Sequence, residues 1–147
     1  MEELKFDYSE VPFQYLHCSN SQCPRAQECL RHRAYQLAPD DTTTLFMVSP
    51  RYAETHSVHC QHFRPVRTKT LARGFEKILG PMTHDQFRAF RAEAHTHFGH
   101  AAYYRYLNGQ SPLPPDKQDY IRQLVRQLNI QTDPAALFDH YEERIDW

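Results

Sequence analysis

Four cysteines constrain this chain more than any other feature: Cys18, Cys23 and Cys29 fall within twelve residues, and Cys60 follows after a gap of thirty. In a compartment that keeps thiols reduced, such a cluster reads as a set of metal ligands before it reads as two disulfides. Four thiolates fill the tetrahedral shell of Zn²⁺ and leave no open position, which is the structural arrangement. The metal called for is therefore zinc, on Cys18, Cys23, Cys29 and Cys60. Two alternatives stay open. Three close cysteines and a distant fourth also resemble plant-type ferredoxin ligation of an iron–sulfur cluster, although the last gap of the close group is five residues here and two there. Buried free thiols, acting as small apolar groups, are the plainest case.

His17, His32, His56, His59 and His62 lie near the same cysteines. A histidine beside a cysteine is more often a supporting or surface residue, so these stay outside the ligand set. His59 and His62, which flank Cys60, are the expected substitutes.

The opening MEELKFDYSEVPFQYLHC has acids where a signal peptide has a basic segment and an apolar run. The longest apolar run, Leu45-Phe46-Met47-Val48, is far too short to span a bilayer. The expectation is a cytoplasmic protein with no membrane partner.

Residues 1–17 read as a short strand or extended entry to the cysteines. A helix is expected from Pro24 to Tyr35, with Leu30, Ala34 and Leu37 on one face. Thr42 to Val48 is β-branched and apolar, the signature of a strand, and Arg51 to Val58 reads as a short helix or loop. Beyond that the pattern turns helical. Leu71 to Leu79 reads as one helix, stopped by Gly80-Pro81. Thr83-His84-Asp85-Gln86 is a capping-box sequence opening a helix to about Thr96. His100 to Leu107 forms another. Pro114-Pro115-Asp116 opens a fourth, with Ile121, Leu124, Val125 and Leu128 as its apolar stripe, and Asp133-Pro134 opens a last, acidic C-terminal helix. The fold class is α+β: a four-cysteine metal-binding module over residues 1–66, then a mainly helical region over 67–147.

Charge is unevenly spread. Residues 1–62 carry five Lys/Arg against eight Asp/Glu, residues 63–128 eleven against five, and residues 129–147 one against five. A basic middle between acidic ends fits either a surface for a polyanion or internal pairing with the tail.

Phe98-Gly99-His100-Ala101-Ala102-Tyr103-Tyr104-Arg105-Tyr106-Leu107-Asn108-Gly109 resembles the turn and recognition helix of lambda-repressor-like helix-turn-helix domains. Pro112-Leu113-Pro114-Pro115 and the stripe Ile121, Leu124, Leu128 continue that resemblance over residues 83–130. Between the turn glycine and the Leu-Asn-Gly end there are two fewer residues than that family provides. The resemblance implies a DNA-facing helix, with His100, Ala101, Ala102, Tyr104 and Arg105 offered to base edges and Arg64, Arg67, Lys69 and Arg73 to phosphates. The competing reading makes Tyr103, Tyr104 and Tyr106 packing residues of a bundle. The chain is also similar to small uncharacterised bacterial proteins that share a Cys…Cys-Pro…Cys-Leu-Arg segment and a Tyr-Tyr-Arg-Tyr helix, which implies a four-cysteine metal site without an activity.

No enzyme signature emerges. Cys29 and Cys60 lack the surroundings of a hydrolase nucleophile, and His95-Thr96-His97 lacks the carboxylate of an HExxH site. The expected function is a non-enzymatic, zinc-stabilised nucleic-acid-binding or regulatory protein. The alternatives are a metal-bearing module that binds another protein and an iron–sulfur redox protein. No small-molecule substrate is inferred.

Overall fold

The computed structural model describes residues 7–147 and is mixed α+β, with five α-helices and one two-stranded antiparallel sheet among them. The chain divides into two units, one running to Arg67 and including Ile145–Trp147, the other Thr68–Arg144.

In the first unit, residues 1–6 of the expected extended entry lie outside the described residues. The rest reaches its one ladder contact at His17, whose N–H donates to Phe46 O at 2.7 Å while Val48 N–H donates to His17 O at 2.8 Å. The strand expected over Thr42–Val48 is thus a single parallel bridge, His17 to Met47. Helix α1 spans Leu30–Leu37 and starts later than the proline signal implies. Cys29 is extended (φ −98°, ψ 117°) because it pairs with Pro65. Leu30 N–H donates to Arg64 O and Val66 N–H to Glu28 O, so the chain ahead of α1 is spent on a ladder. Only a 3₁₀ turn, Ala26–Glu28, remains of the first helical turn. α1 buries Leu30, His32 and Ala34, while Leu37 is exposed. Helix α2, Pro50–Thr55, carries proline in its first turn, where the missing N–H costs nothing.

The second unit opens with β1, Thr68–Arg73, where the sequence suggests a helix from Leu71. Ala72 N–H donates to Leu113 O and Leu113 N–H donates back to Ala72 O, a pairing no helix at this point could make. Gly74 (φ 74°) then turns the chain into a 3₁₀ turn, Glu76–Ile78. Helix α3, His84–Phe98, starts at the Thr83 capping box: Thr83 Oγ1 accepts from Gln86 N–H and Gln86 Oε1 accepts from Thr83 N–H. Helix α4, His100–Leu107, follows after one residue, and α5, Pro115–Gln127, sets Ile121, Leu124 and Val125 inward.

The acidic C-terminal helix is not formed. Asp133 does cap a turn, accepting from Ala135 N–H, but only the 3₁₀ segment Pro134–Ala136 results. Leu137 and Phe138 are buried, and Asp139 N–H donates to the carbonyls of Arg73 and Gly74. That pairing draws His140–Ile145 out as β2, antiparallel to β1. The core of this unit is centred on Phe75, whose ring meets Phe90 and Tyr103 edge-on at 6.0 Å each. Burying such a ring contributes roughly 1.5–3 kcal/mol, so this aromatic triad anchors α3 and α4 to the chain leaving β1. Gln118, also buried, donates its Nε2 to Thr70 O and Leu113 O and ties α5 to β1.

Candidate metal centre

All four cysteines line one small cavity in the first unit, with a free volume of about 20 Å³. Each arrives on a different local device. Cys18 follows the His17 bridge, and its N–H donates to Arg31 O at 3.1 Å. Cys23 opens a turn closed by Ala26 N–H to Cys23 O, and Cys60 opens a matching turn closed by Phe63 N–H to Cys60 O. Cys29, 7% exposed, is held by the ladder ahead of α1. No cysteine pairs with another as a disulfide.

The surroundings suit sulfur anions. No Asp or Glu lines the cavity, whereas Arg25 and Arg31 do. Arg31 is fixed by donation to His62 O at 2.7 Å and Leu16 O at 3.2 Å. Arg25 lies over the Phe63 ring at 4.0 Å, with its buried Nε lacking a partner. Burial pushes the Cys18 thiol up, the Asn20 backbone N–H pulls it down, and the charges of Cys29, Cys60 and Cys23 push it up again. Four thiolates in this space repel one another unless a cation stands among them.

In the side-chain conformations seen, no three His, Cys, Asp or Glu side chains among the described residues converge as metal ligands. The backbone brings the donors to one cavity, and closing a shell requires the thiols to rotate inward.

The nearby histidines separate clearly. His32 and His62 line the cavity. His17 is buried but bonded at both nitrogens, to the Tyr8 hydroxyl at 2.9 Å and Phe46 O at 3.2 Å. His56 stacks on Tyr52 at 4.2 Å, and His59 is exposed. His32 has a sequence signal in its spacing, three residues after Cys29, which places it on the first turn of α1 with Cys29 just ahead of it.

The residues expected at a nucleic-acid surface are spread over both units. His100 and Arg105 are exposed on α4, but Tyr104 is partly buried and its hydroxyl accepts from Arg91 at 2.9 Å. Tyr103 is buried in the core. Lys69 is on β1, and Arg67 belongs to the first unit. α3 and α4 are joined by Gly99 alone (φ 84°, ψ 156°), whereas a helix-turn-helix uses a three- or four-residue turn. The basic middle and acidic tail are partly paired: Arg73 with Glu142 at 3.1 Å and Lys77 with Asp139 at 3.6 Å. No helix among the described residues is long and apolar enough to cross a membrane.

No curated protein and no solved structure matches the chain. One family model matches residues 1–147, and the chain belongs to that family, the family of unknown function DUF6078.

Proposed function

We propose that this member of DUF6078 is a non-enzymatic binding protein whose first unit is built around one zinc ion in the cavity lined by Cys18, Cys23, Cys29 and Cys60. The observation that carries the reading is that all four cysteines line a single cavity free of carboxylates. A filled tetrahedral shell leaves no position for substrate, which favours a structural over a catalytic metal. Arg25 and Arg31 offset the negative charge that thiolates leave on such a centre. The reading takes the protein to work in the cytoplasm, where the thiols stay reduced. The test is emission spectroscopy of the purified full chain together with an absorption spectrum. One zinc per chain and no visible colour are expected. Failure to retain or take up zinc with all thiols reduced overturns the reading, and a brown protein with visible absorption replaces zinc with an iron–sulfur cluster.

A second reading, that α4 meets nucleic acid, is favoured by the exposure of Arg105 and His100 on one short helix. The pairing of Arg73 and Lys77 with acidic residues weighs towards a protein partner instead.

A further inference from the structure

Among the groups around the cavity, His32 is the one whose chemistry is left unfinished. It is 3% exposed, and its Nδ1 stands 3.0 Å from the carbonyl of Cys18. A carbonyl only accepts, so Nδ1 carries the proton and Nε2 presents a lone pair. That Nε2 is buried and has no hydrogen-bond partner. His17, equally buried in the same unit, has both nitrogens satisfied, so of these two buried histidines only His32 has an orphaned nitrogen. A neutral imidazole held by one N–H on a backbone carbonyl, with the other nitrogen bare, has the orientation of a zinc-ligating histidine. The residue lines the same cavity as the four cysteines, which makes five donors for an ion that takes four.

We propose that His32 binds the zinc ion through Nε2, completing a shell of three thiolates and one imidazole, and that one of the four cysteines stays outside it as a free thiol. The proposal rests on the zinc reading above and sharpens it. Three thiolates and one neutral nitrogen leave the centre with one net negative charge instead of two, so Arg25 and Arg31 more than balance it. The cysteine left out would keep a free thiol beside the centre, open to alkylation.

Two measurements on the zinc-loaded full chain test this. X-ray absorption is expected to show about three sulfurs near 2.3 Å and one nitrogen near 2.0–2.1 Å, with the outer scattering of an imidazole. Alkylation followed by mass spectrometry is expected to find one reactive thiol of the four. In His32→Gln the spare cysteine should enter the shell, giving four sulfurs and no reactive thiol. A four-sulfur shell with no reactive thiol in the wild type overturns the proposal while leaving zinc binding intact. Absence of bound zinc instead fells the earlier reading. Should His32→Gln fail to fold, the two wild-type measurements still decide.

Discussion

The Nδ1 atom of His32 and the carbonyl oxygen of Cys18 stand 3.0 Å apart, so the first turn of α1 is tied to the loop that carries the first cysteine. Because Cys18 N–H also donates to Arg31 O, that loop is held to α1 on both sides of one residue, Cys18. The cavity is therefore preformed by backbone bonds, and a metal would finish a scaffold already in place.

Removal of the metal should loosen one unit and spare the other. With zinc stripped by a chelator, hydrogen exchange at Leu30, His32 and Ala34 is expected to accelerate, while Phe90, Ala94 and Ile121 keep their protection. The double variant Cys18→Ser/Cys29→Ser leaves too few donors for a full shell. Its zinc affinity should fall by more than the ~10–100-fold that changes to supporting groups cost. Equal exchange with and without chelator would show that no metal supports the unit.

The Gly99 junction gives the second prediction. Its φ of 84° and ψ of 156° lie in a region open essentially to glycine, and an added Cβ would meet nothing within 4 Å. Gly99→Ala therefore isolates backbone strain from steric clash and should cost about 1–3 kcal/mol of stability by denaturant unfolding. An unchanged midpoint would mean that α3 and α4 can be joined in some other way.

Arg73 and Glu142 supply the third. Nε and Nη2 of Arg73 both address Glu142 Oε1 at 3.1 Å, and Nη1 donates to Gly109 O and Gln110 O. Glu142→Gln should cost about 1 kcal/mol and Arg73→Ala about 2–3 kcal/mol, since the arginine also loses its carbonyl partners. A double-mutant cycle measures the pair itself. A coupling of zero would show that Arg73 acts through the two carbonyls alone.

His95 titrates against the fold. Burial lowers its pKa first, and His100 and Arg91 lower it further. Its Nε2 is buried without a partner, and the rings of His100, Tyr103 and Tyr104 face it. The unfolded chain takes up a proton below the ordinary histidine value of 6.5, which the folded chain resists. The contribution to stability is thus complete above that value and lost as pH falls towards the depressed folded pKa. An NMR titration of the ring should place His95 below the ordinary histidine value of 6.5. A midpoint at or above the ordinary value would contradict the burial.

Arg105 decides the nucleic-acid reading. In a selection from random duplexes at near-physiological salt, Arg105→Ala should lose about 1–3 kcal/mol of site preference and keep the salt-sensitive background. Wild-type protein that enriches no sequence and binds no duplex even at low salt would leave a protein partner as the reading.

What the sequence made legible and what it hid have physical causes. The capping box at Thr83 and the stripe on α5 are local signals, and local hydrogen bonds honour them. The strands were hidden because neither alternates cleanly. Leu71 and Ala72 are adjacent and both buried, so Thr68–Arg73 looks helical until Leu113 is seen beside it. His140–Ile145 is mostly exposed and charged, and its pairing depends on Arg73, far away in sequence. Asp133-Pro134 is a true helix start that long-range pairing cut short after one turn. At the metal centre the cysteines announced themselves by clustering. His32 showed only as a spacing of three from Cys29, because its role depends on which of its two nitrogens has a partner.

Asp146 N–H donates to Arg67 O at 2.9 Å, and Trp147 is held by Arg64 and packs on Tyr15 at 5.2 Å between ring centres. The first unit therefore borrows residues that leave the ribosome some eighty positions after Arg67. During synthesis the second unit is made in full while the cysteine module still lacks Ile145–Trp147. Assembly must then run against the order of translation, with the part begun first being the part sealed last.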